Sequence, residues 1–202
     1  MTPHRRAGAA GAGAALLLAG LTGCGGAAGP APPSPEPPSA APATTSSPFP
    51  PRPVELKLDG LDPCALLNAG QQRQLGVGQV GTYADSDGLG SAACQWGNNG
   101  GKPDNRWLVR MIVKQGADYA LGSDTGVRVV QVDGFTAVQT APPYQDPKLN
   151  CVLVVDVAPG QSLGVQYANY AGDYPGISHE VACQLDRTAA ELMVRNLRTL
   201  AH

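Results

Sequence analysis

The sequence predicts an α+β domain: a mostly antiparallel sheet with a helix at each end of the domain packed on it. Three observations carry this. Short β-rich segments follow one another with turns between them, as at Trp107–Lys114 and Val127–Gln139. A helix start stands before them, at Asp62-Pro63, and a long helical stretch after them, from Ser178 to Leu200. Consecutive strands joined by short turns, with helices at the ends, give an antiparallel sheet covered by helices rather than alternating βαβ units.

Asp62 is a good N-cap and Pro63 suits the first helical position, because its missing N–H needs no partner there. Leu66, Leu67 and Leu75 supply apolar contacts, and Gly76 ends this helix. Gly78–Ala92 is rich in Gly, Ser and Asp and reads as a loop. Strands are expected at Ala93–Trp96 and at Trp107–Lys114, where apolar and polar residues alternate. Val127–Val132 and Phe135–Gln139 flank Asp133-Gly134, a two-residue hairpin signal. Cys151–Val157 and Ser162–Tyr167 pair around Ala158-Pro159-Gly160-Gln161. In the last helix Val181, Leu185, Ala189, Leu192 and Leu200 fall on one side at helical spacing. Cys183, Ala190 and Val194 point elsewhere, so the helix either packs on two sides or begins at the cysteine.

Three regions differ in composition. Residues 1–23 have the anatomy of an export signal: a basic start at His4, Arg5 and Arg6, then an apolar stretch from Ala7 to Gly20. That stretch falls short of the roughly 20 residues a membrane-spanning helix needs. It ends in Leu21-Thr22-Gly23-Cys24, a tetrapeptide that resembles a lipobox. There small residues admit an extended backbone to a peptidase and the Cys24 thiol becomes a thioether to diacylglycerol. Each buried methylene of an attached chain contributes about 0.8 kcal/mol, and two or more chains anchor stably. The expectation is a protein lipid-anchored at Cys24 on the extracytoplasmic face of the cell membrane. The competing readings are an ordinary secretory signal with an incidental cysteine, and twin-arginine export through Arg5-Arg6, which lacks its usual context.

Residues 24–53 hold almost only Gly, Ala, Pro, Ser and Thr, too little apolar side chain to offset ordering entropy. Pro32-Pro33, Pro37-Pro38 and Pro50-Pro51 favour extended segments, so this region reads as a disordered tether. Thr44, Thr45, Ser46 and Ser47 fit an unmodified polar spacer better than an O-glycosylated one. Residues 54–202 form the globular part, about 150 residues and enough for one domain.

Charge excludes one class of partner. The chain carries 14 Lys and Arg against 16 Asp and Glu, a net −2. Without residues 1–23, which hold Arg5 and Arg6 and no acid, the count is 12 against 16, about −4. A nucleic-acid partner needs a basic face, and attraction to anionic headgroups needs a polybasic cluster. The expected partners are the membrane, through the lipid, and an envelope protein or glycan.

Cys64, Cys94, Cys151 and Cys183 lie in the globular part. In an oxidising compartment an even count points to disulfides. Four cysteines allow three connectivities, and the sequence does not choose among them. The sequential pairing, Cys64–Cys94 and Cys151–Cys183, is the expected one. A zinc site has less support, since no CxxC pair occurs and His179 is the one nearby imidazole.

Taken in order, Asp62-Pro63-Cys64-Ala65-Leu66-Leu67, Cys94-Gln95-Trp96, Val132-Asp133-Gly134-Phe135-Thr136-Ala137, Asn150-Cys151 and Cys183 at the head of a final helix resemble the actinobacterial DUF3558 lipoproteins. The likeness runs from the lipobox to the end of the domain. It implies an α+β fold similar to the Mog1/PsbP-like group and brings no catalytic residues, since the family's function is not established. The polar stretch Gly97–Asn105 departs from the pattern and reads as a variable loop.

No reaction is written in the residues. There is no Gly-x-Ser-x-Gly elbow, no HExxH and no P-loop. His179 needs a positioned partner to act as acid or base, and a polar residue in a helix's first turn is its commoner role. Asp85-Ser86-Asp87-Gly88 resembles a calcium loop in part, but Gly88 comes early and the closing Glu is missing. No cofactor and no metal are expected. The best binding clue is Tyr83, Tyr144, Tyr170 and Tyr174, all in segments with Asp, Gly or Pro nearby. A tyrosine offers a rigid apolar face and a polar tip to a glycan or protein, although covering the edge of its own sheet is a commoner use. Trp96 and Trp107, in strands, are expected in the core. The leading expectation is a non-enzymatic binding or accessory module. The alternatives are an envelope glycan or peptide hydrolase using paired carboxylates, and a carrier with an apolar cavity.

Overall fold

A computed structural model describes residues 47–83, 90–98, 101, 103–123, 126–141, 146, 149–170 and 175–201. Cys24, Tyr144, Tyr174 and the Asp85-Ser86-Asp87-Gly88 tetrapeptide lie outside these residues. A seven-stranded sheet, antiparallel throughout, carries the fold. Its strands are β1 (Gly78–Tyr83), β2 (Ala92–Gly97), β3 (Asn105–Ile112), β4 (Arg128–Val132), β5 (Phe135–Thr140), β6 (Asn150–Ala158) and β7 (Gln161–Asn169). The order across the sheet is β1-β2-β3-β7-β6-β5-β4, so two meanders meet where β3 pairs β7. The α+β expectation holds, with an additional strand at one edge.

That strand is β1, in a segment the sequence reads as loop. Gly78 and Gly81 lower its β propensity, and its register with β2 shifts between Gln79 and Gly81. The first helix also differs. Asp62 caps as expected, accepting from the Cys64 amide at 2.8 Å, but the turn it starts is a 3₁₀ helix, Pro63–Leu66. Asn68 then opens a separate helix α1 (Ala69–Leu75) with a capping box. Asn68 Oδ1 accepts from the Gln71 amide, and Gln71 Oε1 accepts from the Asn68 amide. Two caps six residues apart split the expected single helix. Gly76 closes α1 in the left-handed region, φ 67°.

The Asp133-Gly134 hairpin is as expected, with φ 48° and 84° at the two turn positions. Both positive values are what a twist-matched two-residue turn demands.

The closing helix α2 (His179–Leu200) is capped by Ser178, whose side chain accepts from the Val181 amide. It buries Ala182, Cys183, Asp186, Ala189, Ala190, Leu192, Met193, Val194 and Leu197. Ala189 and Leu192 of the expected side are buried, with Leu185 packed beside them, and so are Cys183, Ala190 and Val194. The helix therefore packs on two sides, and the second is the stripe that contains Cys183. Val181 and Leu200, assigned to the packed side from their spacing, are exposed. The carboxyl of Asp186 in the middle of the buried stripe is what conceals it from an apolar periodicity.

One sheet face packs on α2 and the 3₁₀ turn. Its core joins Trp96, Trp107, Met111, Phe135, Leu153, Leu163 and Tyr167 to Leu66, Leu67, Met193 and Leu197. Both tryptophans are buried as expected, and Trp107 tilts against Tyr167 with ring centroids 5.0 Å apart. The two disulfides follow the sequential pairing. Cys64–Cys94 ties the 3₁₀ turn to β2, and Cys151–Cys183 ties β6 to α2.

The opposite face is covered over β5, β6 and the start of β7, where Ser162 is buried and donates to the Gln115 carbonyl. There Ala117 and Ala120, in a second 3₁₀ helix (Ala117–Gly122), pack on Val138 and Val154 with Phe49 and Val152 beside them. Arg52 reaches Asp156 at 2.6 Å, a nearly buried ion pair. Burial raises the Asp156 carboxyl above its usual range and Arg52 opposes that shift. Phe49 and Arg52 belong to the segment assigned to the tether, so the folded body begins before Val54. Leu56 and Leu58 are wholly buried too.

Candidate binding face and family

Over β2, β3 and β7 the second sheet face stays open. Strict alternation puts it there. In β3, Trp107, Val109 and Met111 enter the core while Arg106, Leu108 and Arg110 project the other way. The register sets Gln95 opposite Leu108, Leu108 opposite Gln166, and Arg106 opposite Ala168. These side chains, with Tyr170 just past β7, line a cavity of about 180 Å³.

The rim is aromatic. The Arg106 guanidinium lies 5.1 Å from the centre of the Tyr170 ring and also reaches Asp104 at 3.4 Å. On the other side Tyr83 donates its hydroxyl to Gln95 Oε1 at 2.8 Å. Two of the four candidate tyrosines, Tyr83 and Tyr170, therefore flank one face through Gln95. They are 48% and 56% exposed, far above the buried Tyr167 on the reverse side. A stacked guanidinium and ring form a flat amphipathic plate, and the two glutamines add paired donors and acceptors. Such a surface can hold a polar partner without chemistry on it.

No sequence motif marks Gln95, Arg106, Arg110 and Gln166 as binding residues. The alternation in Arg106–Met111 is a usable signal for two of them, but it reads equally as an ordinary solvent face. Among the described residues no carboxylate lines this cavity, and no group of three His, Cys, Asp or Glu is placed to hold a metal ion. His179 lies elsewhere, in the first turn of α2, with Nδ1 3.0 Å from the Asn150 carbonyl and Nε2 3.6 Å from Cys183 Sγ. No helix among the described residues is long and apolar enough to cross a membrane.

An antiparallel sheet closed by a C-terminal helix, two sequential disulfides and an open polar face define a small disulfide-stapled α+β module. The chain belongs to the DUF3558 family, a protein family of unknown function, whose model matches residues 19–196. No curated protein and no solved structure matches it.

Proposed function

We propose that this protein is a lipid-anchored, non-enzymatic binding module of the cell envelope, and that it engages a glycan or protein partner through the open face of β2, β3 and β7. The convergence of Tyr83, Tyr170, Arg106, Gln95 and Gln166 on one face carries the reading. The anchor rests on Leu21-Thr22-Gly23-Cys24 and its preceding apolar stretch. The cavity lining supports a binding role over hydrolysis, because its described residues offer no pair of carboxylates.

Two measurements test it. Cys24→Ser should move the protein from the membrane to the soluble fraction while the domain still folds, and a variant that stays membrane-bound refutes the anchor. A photo-crosslinking residue at Gln166 should then capture a discrete partner from the envelope in cells. The same residue at exposed Lys57 should not, and adding Tyr170→Ala with Arg106→Ala should abolish the adduct. Equal capture from both positions, or none from Gln166, refutes the open face as the docking surface.

A further inference from the structure

A second cavity, of about 310 Å³, lies on the helix-covered side of the sheet, between the start of α2 and the hairpin of β4 and β5. Arg128 and Gln139 are register partners there. On the same side of these two strands Val130, Val132, Phe135 and Ala137 all feed the core. Where the pattern next calls for an apolar pair, the chain has a guanidinium and an amide.

Three features give this cleft a chemical preference. Gln139 is 7% exposed, yet its side-chain amide has no hydrogen-bond partner among the described residues. The amide borders the cavity, where its donor and acceptor are available to whatever enters. Next, neither Arg128 nor Arg187 has an ion-pair partner among the described residues, whereas Arg52, Arg106, Arg195 and Arg198 each meet an aspartate. Glu180 is the one carboxylate among the described lining residues, so two guanidinium groups leave the lining net positive in a chain of net −2. Last, the floor is fixed. Cys183 is bonded to Cys151, and His179 is held against the Asn150 carbonyl. The positive end of the α2 macrodipole adds to the same sign of potential.

We propose that this cleft is a binding site for a small ligand that carries a carboxylate beside a neutral amide, as the C-terminal end of a peptide does. The guanidinium forks of Arg128 and Arg187 match the two carboxylate oxygens, and that geometry separates Arg from a point charge. The Gln139 amide both donates and accepts, which is what a peptide group requires of its neighbour. The site is separate from the open face and does not depend on the reading of that face.

The test is a nuclear magnetic resonance titration of the mature chain carrying Cys24→Ser. Three probes are compared: acetyl-Ala-Ala, its C-terminal amide, and inorganic phosphate. Acetyl-Ala-Ala should shift the Gln139 side-chain amide and the Arg187 Nε–H signals and saturate with a Kd on the order of 1 mM, as a few polar contacts allow. Arg187→Gln and Arg128→Gln should each weaken it about tenfold while the rest of the spectrum stays dispersed and unchanged. The amide should leave those signals in place. Silence with acetyl-Ala-Ala, equal shifts with its amide, binding of phosphate alone, or variants that bind as the wild type does each overturn the proposal.

Discussion

Asp186→Asn is expected to change the pH dependence of folding in a specified direction. Asp186 is wholly buried on α2, and neither carboxyl oxygen makes a hydrogen bond of good geometry among the described residues. Burial pushes its carboxyl well above the usual carboxylate range, and the Leu153 backbone offsets this only in part. In the unfolded chain the same group ionises near pH ~3.9. The folded state thus holds the proton more tightly. Below that value both states are protonated and the contribution is fully present. As pH rises above it, the unfolded chain releases the proton first, and stability falls until the folded carboxyl ionises in turn. One proton sets the slope at up to about 1.4 kcal/mol per pH unit, tenfold in the folding equilibrium. The asparagine amide of the variant does not titrate. The stability of Asp186→Asn relative to wild type should therefore rise with that slope from about pH 4 upward. Asp156 also has a raised carboxyl, but it is present in both proteins and cancels. The assay is urea unfolding of both proteins with disulfides intact at three or more pH values. A packing offset that is constant with pH leaves the slope untouched. Parallel pH curves, or a relative loss of stability in the variant as pH rises, would refute the reasoning.

Two further outcomes follow from the same core. Removing either disulfide by paired Cys→Ser changes frees a loop of 30 or 32 residues, so each should cost about 3–4 kcal/mol and lower the urea midpoint correspondingly. A loss under about 1 kcal/mol for either would contradict the chain-entropy account. Burial also pushes the Tyr167 phenol up to about 12, so one tyrosinate step should appear there and vanish in Tyr167→Phe. Because the folded value is the higher one, that stabilisation is complete below pH ~10 and is lost as pH climbs through the folded value.

Much of the fold was legible because local rules acted alone. Alternation located β3, Asp133-Gly134 located the turn between β4 and β5, and Ala158-Pro159-Gly160-Gln161 located the turn between β6 and β7. The failures have physical reasons. An edge strand such as β1 needs no buried apolar face, so Gly78 and Gly81 removed its remaining signal. Asn68 reads as a helix-tolerated polar residue unless its reciprocal bond with Gln71 is seen. Asp186 sits where an apolar residue belongs and obscured the second packed side of α2, which carries Cys183, Ala190 and Val194. The open face was legible only at its aromatic rim. Its members span residues 83 to 170 and meet through the register of four strands, which periodicity within any one strand does not report.

The open face gains rigidity from the side it does not show. Each of its strand residues alternates with a core anchor. Gln95 stands between Cys94 and Trp96, Arg106 precedes Trp107, and Gln166 precedes Tyr167. Cys94 is bonded to Cys64, and Tyr167 donates to Asn105 Oδ1 at 2.5 Å while its ring meets Trp107. The largest side chains of the core thus hold the backbone from which the open-face groups project. Ordering such groups at binding costs little, because the backbone beneath them is already fixed. The corresponding cost sits in the exposed rings, where Tyr170 gives up hydration only over the surface that Arg106 does not already stack. If the proposed partner docks at this face it meets a preformed plate, so losses of affinity from Tyr170→Ala or Arg106→Ala should appear in dissociation rate rather than in folding stability.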